Sequence, residues 1–218
     1  MRTSVFLLIS FTACQAETIQ LLSGVSPNEY NNQTGANVVI TPHPVWATAS
    51  GANWISYTNT GLGGTVIPNF TSGTPNASYY QDFYLTGTNN RAVGDITVWA
   101  DDSASVYLDN TLLIHYNDTL GVNCAAGPIG CTQPNGASLH FDFLGTPGSK
   151  HTLRFDVFQE WGDVYGLLYK GSVTLSDPPV VTQNPEPGTF GLVGAALAGA
   201  AWFARKRKPS PTAAQTTA

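Results

Sequence analysis

Between residues 17 and 180 the chain has only four basic side chains, Arg91, Lys150, Arg154 and Lys170. Thirteen acids from Glu17 to Asp177 oppose them, so this stretch stands near −9 while the whole chain is −5. That scarcity excludes a nucleic-acid ligand, because phosphate backbones are held by cationic patches. Sustained helical periodicity is missing from the same region, which argues against a helical core. No internal repeat points to a second domain. The nucleophile elbow G-x-S-x-G is absent, and His43, His115, His140 and His151 form no H-E-x-x-H or other metal motif. No catalytic residue is assigned, and the chain reads as a non-enzyme.

What is present at the two ends concerns destination. Arg2 precedes the apolar stretch Val5 to Phe11, and small residues follow, the pattern of a secretory signal peptide over residues 1–16 with cleavage after Ala16. A lipidated Cys14 is the alternative form of the same signal. The apolar stretch is too short for a bilayer, which needs about 20 residues. At the other end, Pro185-Glu186-Pro187-Gly188 closes a linker over residues 181–188, and an apolar run follows over residues 189–204. Arg205-Lys206-Arg207-Lys208 opens a basic tail over residues 205–218. Lys and Arg resist translocation, so the order predicts a transmembrane helix with its basic end in the cytoplasm and everything before it outside. At about 1.5 Å per residue the 16-residue run spans only about 24 Å. Its Gly and Ala content also makes it a weak anchor, suited to removal.

The sequence Pro-Glu-Pro-Gly-Thr-Phe-Gly-Leu-Val-Gly followed by Arg-Lys-Arg-Lys resembles the PEP-CTERM sorting signal of exported bacterial proteins. The likeness covers residues 185–208, and the tail Pro209 to Ala218 departs from it by running on beyond the basic block. The resemblance implies an exosortase-type partner in the inner membrane that recognises Pro185, Glu186 and Pro187. It further implies delivery of the body to the cell surface or extracellular matrix, with transient membrane anchoring through the C-terminal helix.

Residues 17–180 then form one domain. Leu139, Phe141 and Phe143 alternate with His140 and Asp142, and Leu153, Phe155 and Val157 alternate with Arg154 and Asp156, the period of half-buried strands. Further strands are predicted over 18–22, 37–41, 52–57, 79–86, 95–101, 105–108, 112–115 and 167–175, with Gly, Pro, Asn and Thr between them. The fold class is all-β, a single β-sandwich of jelly-roll type. Asp109-Asn110 between two short strands predicts a tight hairpin turn. The segments around Trp54, Tyr80 to Gly87, Val98 to Ile114 and Gly166 to Leu168 resemble galactose-binding-like jelly-roll domains, which usually place Asn-Gly at that turn.

Cys124 and Cys131 enclose a Gly/Pro loop, and in an exported chain this pair predicts a disulfide; a zinc site would need two further ligands. Asp101 and Asp102, with Asp109, are a candidate Ca²⁺ site, since that hard cation takes six to eight oxygens. Sugar-binding domains of the protective-antigen type look similar around an Asp-Asp-Ser turn, and the likeness implies calcium and, through it, a sugar. The competing reading makes Asp102 and Ser103 a loop cap bonding local N–H groups. Glu160, Trp161 and Asp163 set a ring among acids in a turn, the chemistry of a sugar site, or else Trp161 is a lid on the sandwich. Trp46, Trp54 and Trp99 read as core, and the Asn-x-Ser/Thr sites at Asn32, Asn69, Asn76 and Asn117 as turn chemistry. The sequence therefore points to an exported, non-catalytic module that binds or organises extracellular polysaccharide, with Ca²⁺ as the one candidate cofactor. The alternatives are a purely structural matrix or biofilm component and a minor glycoside hydrolase.

Overall fold

A computed structural model describes residues 16–71, 73–116, 129–160 and 162–177. The chain divides into two compact units, Met1–Pro178 and Pro179–Ala218, and every described residue belongs to the first. The linker, the apolar run 189–204 and the basic tail lie outside the described residues, as do the first 15 residues. Among the described residues no helix is long and apolar enough to cross a membrane.

Among the described residues eleven strands build two antiparallel sheets. Sheet A contains β3 (Val38–Val39), β4 (Ile55–Ser56), β11 (Gly166–Ser176), β6 (Arg91–Asp101) and β9 (Ala137–Leu144) in that order, and β1 (Glu17–Leu22) joins it on β11. Sheet B runs β2 (Glu29–Asn31), β5 (Ala77–Tyr84), β10 (Lys150–Phe158), β7 (Ser103–Leu108) and β8 (Thr111–Ile114). From β5 onward the long strands pass back and forth between the sheets, so few sequence neighbours pair, and the sandwich is of jelly-roll type. The predicted strands are all present. β2 is an addition, too short at three residues to carry a readable alternation.

Alternation places the core as expected. Leu153, Phe155 and Val157 of β10 are fully buried between the sheets, with Tyr79, Val106, Leu167 and Tyr169. The buried tyrosines find partners, which removes the cost of an unpaired hydroxyl: Tyr79 Oη lies 3.3 Å from Ser56 Oγ, and Tyr165 donates to the carbonyl of Val157 at 3.3 Å. Trp46, Trp54 and Trp99 are buried, but in a second cluster with Ile40, Cys131 and Leu168. Trp99 and Leu168 sit opposite each other in the β6–β11 register and their neighbours Val98 and Leu167 enter the main core, so this cluster covers the outer face of sheet A. The Asp109-Asn110 turn closes β7 to β8 with Asp109 at φ 54°. Asn32 and Asn76 do not serve local turns as expected but link distant segments, their Oδ1 atoms accepting from the N–H groups of Ser78 at 2.9 Å and Gln159 at 2.8 Å.

Candidate functional site

Strand direction puts Asp101, Asp102, Glu160 and Asp163 at one end of the sandwich. Asp101 ends β6 and Asp102 joins it to β7, while Glu160 and Asp163 lie in the loop from β10 to β11. The two loops are joined by backbone: the Asp102 N–H donates to the Phe158 carbonyl at 3.0 Å, and the Glu160 N–H donates to Asp102 Oδ2 at 2.7 Å. The Asp101–Asp102 peptide bond is cis. Both aspartates are 5% exposed. Asp101 shares a hydrogen bond with Asp102 and is bonded by Trp46, which the second cluster holds against Trp54 at a ring separation of 4.2 Å. Trp54 is in turn fixed by its indole N–H donating to the Ala47 carbonyl at 2.8 Å.

Burial, then the neighbouring Asp102 carboxylate, raises Asp101 well above the usual carboxylate range, and Asp163 adds to the effect. Desolvation and Asp102 likewise raise Glu160. Among the described residues three buried oxygens at this end, Ser103 Oγ, Gln159 Oε1 and Glu160 Oε2, have no hydrogen-bond partner, although such atoms are normally satisfied. They lie where Ser103 pairs with Phe158 in the β7–β10 register.

The Asp102 carboxylate caps not a local N–H but that of Glu160, 58 residues away in the neighbouring loop, while Asp109 takes no part in this site. It lies at the opposite end of β7, about 20 Å away at roughly 3.3 Å per residue, where its carboxylate bonds His151 Nδ1 at 2.9 Å and accepts from the Thr152 N–H at 2.9 Å. A triad of Asp101, Asp102 and Asp109 is therefore ruled out by the strand between them. Among the described residues no three His, Cys, Asp or Glu side chains gather as a metal group. A Ca²⁺ ion held by Asp101 and Asp102 would have to draw on neutral oxygens such as those of Ser103 and Gln159, which its chemistry allows. Trp161 and Cys124 lie outside the described residues. Sequence reading placed Trp46 in the core without its link to Asp101, which arises from a contact distant in the chain with no local motif to mark it.

Comparison with known proteins bears on the C-terminal segment. Residues 185–208 match the PEP-CTERM protein-sorting motif. With the PEP-CTERM motif the chain is an exported protein. No curated protein sequence matches the chain. Among solved structures, a family 35 carbohydrate binding module from Clostridium thermocellum is 7% identical, over 72% of this chain and 97% of that one, at a TM-score of 0.36. An exo-beta-1,3-galactanase from Phanerochaete chrysosporium is 9% identical over 71% of this chain, at a TM-score of 0.35. PorU from Porphyromonas gingivalis is 10% identical over 77%, at 0.39. The match spans 28% of the galactanase and 13% of PorU. Likenesses this distant carry no conclusion about ligand or activity.

Proposed function

We propose that this protein is an exosortase substrate, cleaved near Pro185-Glu186-Pro187 and presented at the cell surface or in the extracellular matrix. There its sandwich binds polysaccharide without catalysis, through the loop end that holds Asp101, Asp102, Glu160 and Asp163. The observation that carries the reading is the group of buried oxygens without a partner among the described residues, Ser103 Oγ, Gln159 Oε1 and Glu160 Oε2, around the aspartate pair. Such oxygens are satisfied by a cation or by a ligand rich in hydroxyl donors. Asp101 and Asp102 would hold Ca²⁺, which would supply a positive centre for sugar oxygens. Trp161, next to Glu160 in sequence, is the ring proposed to stack on the sugar.

A glycan array probed with the processed protein, with and without calcium, tests this. Binding is expected in calcium alone and should disappear in Asp102→Asn. Silence in both conditions would favour a purely structural matrix role, and release of shortened glycans would reveal a hydrolase. Sorting is tested separately: replacing Pro185, Glu186 and Pro187 with Ala in the native host should leave the chain unprocessed in the membrane. Continued release of a cleaved body would refute the exosortase route. Cys124 and Cys131 are proposed as the disulfide of the exported form, expected as one linked peptide that separates on reduction; two alkylated thiols without reduction would dismiss it.

A further inference from the structure

The outer face of sheet B carries one continuous row across all five strands. Register pairs Tyr30 with Tyr80, Tyr80 with Arg154, Arg154 with Tyr107, and Tyr107 with Leu112. Directly opposed residues share a face, and their neighbours Tyr79, Phe155 and Val106 point into the core, so this row points outward. At about 4.8 Å per strand it is about 19 Å long. The rings do not lie flat. Tyr30 and Tyr80 stack on each other at 4.8 Å and 12°, and the Arg154 guanidinium carbon lies 3.9 Å from the Tyr107 ring centroid. Planar groups that pack face against face direct their edges and polar tips away from the sheet. Among the described residues the hydroxyls of Tyr30, Tyr80 and Tyr107 make no hydrogen bond, leaving donors and acceptors spaced along the row.

The charges on this face balance. Two of the body's four bases are here, each matched by an acid: Lys150 Nζ lies 3.0 Å from Asp82 Oδ2, and Arg154 Nε lies 3.3 Å from Asp156 Oδ1. In a body near −9 this balanced face offers a neutral ligand hydrogen bonds without the surplus negative charge that would repel an anionic one. Sheet A has no equivalent aromatic row, because the tryptophan cluster covers part of its outer face.

We propose that the outer face of sheet B binds an extended, neutral polysaccharide chain laid across the strands, its hydroxyls bonded by the Tyr30, Tyr80 and Tyr107 phenols. This extends the polysaccharide reading above to a second surface, independent of the aspartate pair and of calcium. The full-length chain in a non-glycosidic detergent should bind cellohexaose, xylohexaose or mannohexaose, with shifts in the ring resonances of these three tyrosines. The triple variant Tyr30→Phe, Tyr80→Phe, Tyr107→Phe keeps the stacked rings and removes only the hydroxyls. It should weaken binding about fivefold per hydroxyl, with its melting temperature unchanged. Chelation of calcium and Asp102→Asn should leave this binding intact. Unaltered affinity in the triple variant would overturn the proposal, as would a failure of all three hexasaccharides to shift the rings, or tighter binding of a polygalacturonate hexamer. Binding that survives the tyrosine changes but is lost on chelation and in Asp102→Asn would support the loop end and reject the face.

Discussion

Warmed at pH 5, the protein should melt several degrees higher than at pH 8, and Glu29→Gln should remove much of that difference. Glu29 opens β2 and turns inward, where its carboxylate accepts the Gly24 N–H at 2.9 Å and meets Tyr169 Oη. Tyr169 Oη also lies 3.1 Å from Gln81 Oε1, which is held in that orientation because Gln81 Nε2 donates to the carbonyls of Pro27 at 2.8 Å and Asp82 at 2.9 Å. One phenolic proton faces two acceptor oxygens, and a protonated Glu29 supplies the second. Burial pushes Glu29 up from 4.5 to about 7, only partly offset by those hydrogen bonds. Between the two values the folded protein keeps a proton that the unfolded chain has lost. This contribution to stability is complete below about 4.5 and disappears as pH rises through about 7. After discounting for the carboxyl's partial exposure it amounts to about 2 kcal/mol, or about 4–8 °C in melting temperature for a domain of this size. Asp101 and Glu160 are raised as well and act in the same direction. A melting temperature that is flat between pH 5 and 8, or that falls as steeply in Glu29→Gln, would contradict the assignment.

Gly171→Ala should be at least as damaging. Gly171 lies in β11 between β1 and β6, paired with Leu21 on one side and Ile96 on the other. A Cβ added there would sit 2.3 Å from the Asp95 carbonyl oxygen and 2.7 Å from Ile96 Cα. These are backbone atoms, which cannot rotate away as a side chain can, so the added methyl must part β6 from β11 along their eleven-residue ladder. Glycine within a strand commonly marks such close backbone approach, and overpacking against a fixed neighbour costs about 3 kcal/mol. Thermal unfolding should fall by about 6–12 °C, while Ser172→Ala next to it should shift little. A near-wild-type Gly171→Ala would mean that the two strands are less tightly joined than their register indicates.

The sandwich was legible in the sequence wherever alternation ran for four or more residues, as in β9 and β10, and the Asp109-Asn110 turn was legible from its residue types. Glu29 was not, because nothing near it in the chain signals burial: its partner Tyr169 lies 140 residues away. The same limit hid Trp46, whose bond to Asp101 joins segments 55 residues apart. Asp109 shows the opposite case. Asp102 and Asp109 were already predicted to bracket a strand, and a strand holds its two ends apart, so grouping them around one ion conflicted with the reading of the intervening residues. Trp99 was correctly read as buried, but alternation could not tell the main core from the cluster on the outside of sheet A, since both sides of β6 are covered by apolar side chains.

The antiparallel pairing of β1 with β11 also determines how the module is presented. Glu17 pairs with Leu175 and Gly166 with Asp101, so the first strand begins beside the point where the chain leaves the sandwich, and the aspartate loop lies at the far end of β11. Ten residue steps at about 3.3 Å separate Gly166 from Ser176, about 33 Å in all. The carboxylate loops therefore lie at the end of the sandwich away from Glu17 and Ser176. The tyrosine row runs crosswise on sheet B, at the middle of β10. On the proposed reading these are two separate polysaccharide sites on one module, one at its end and one on its side, so that a single copy would join two chains.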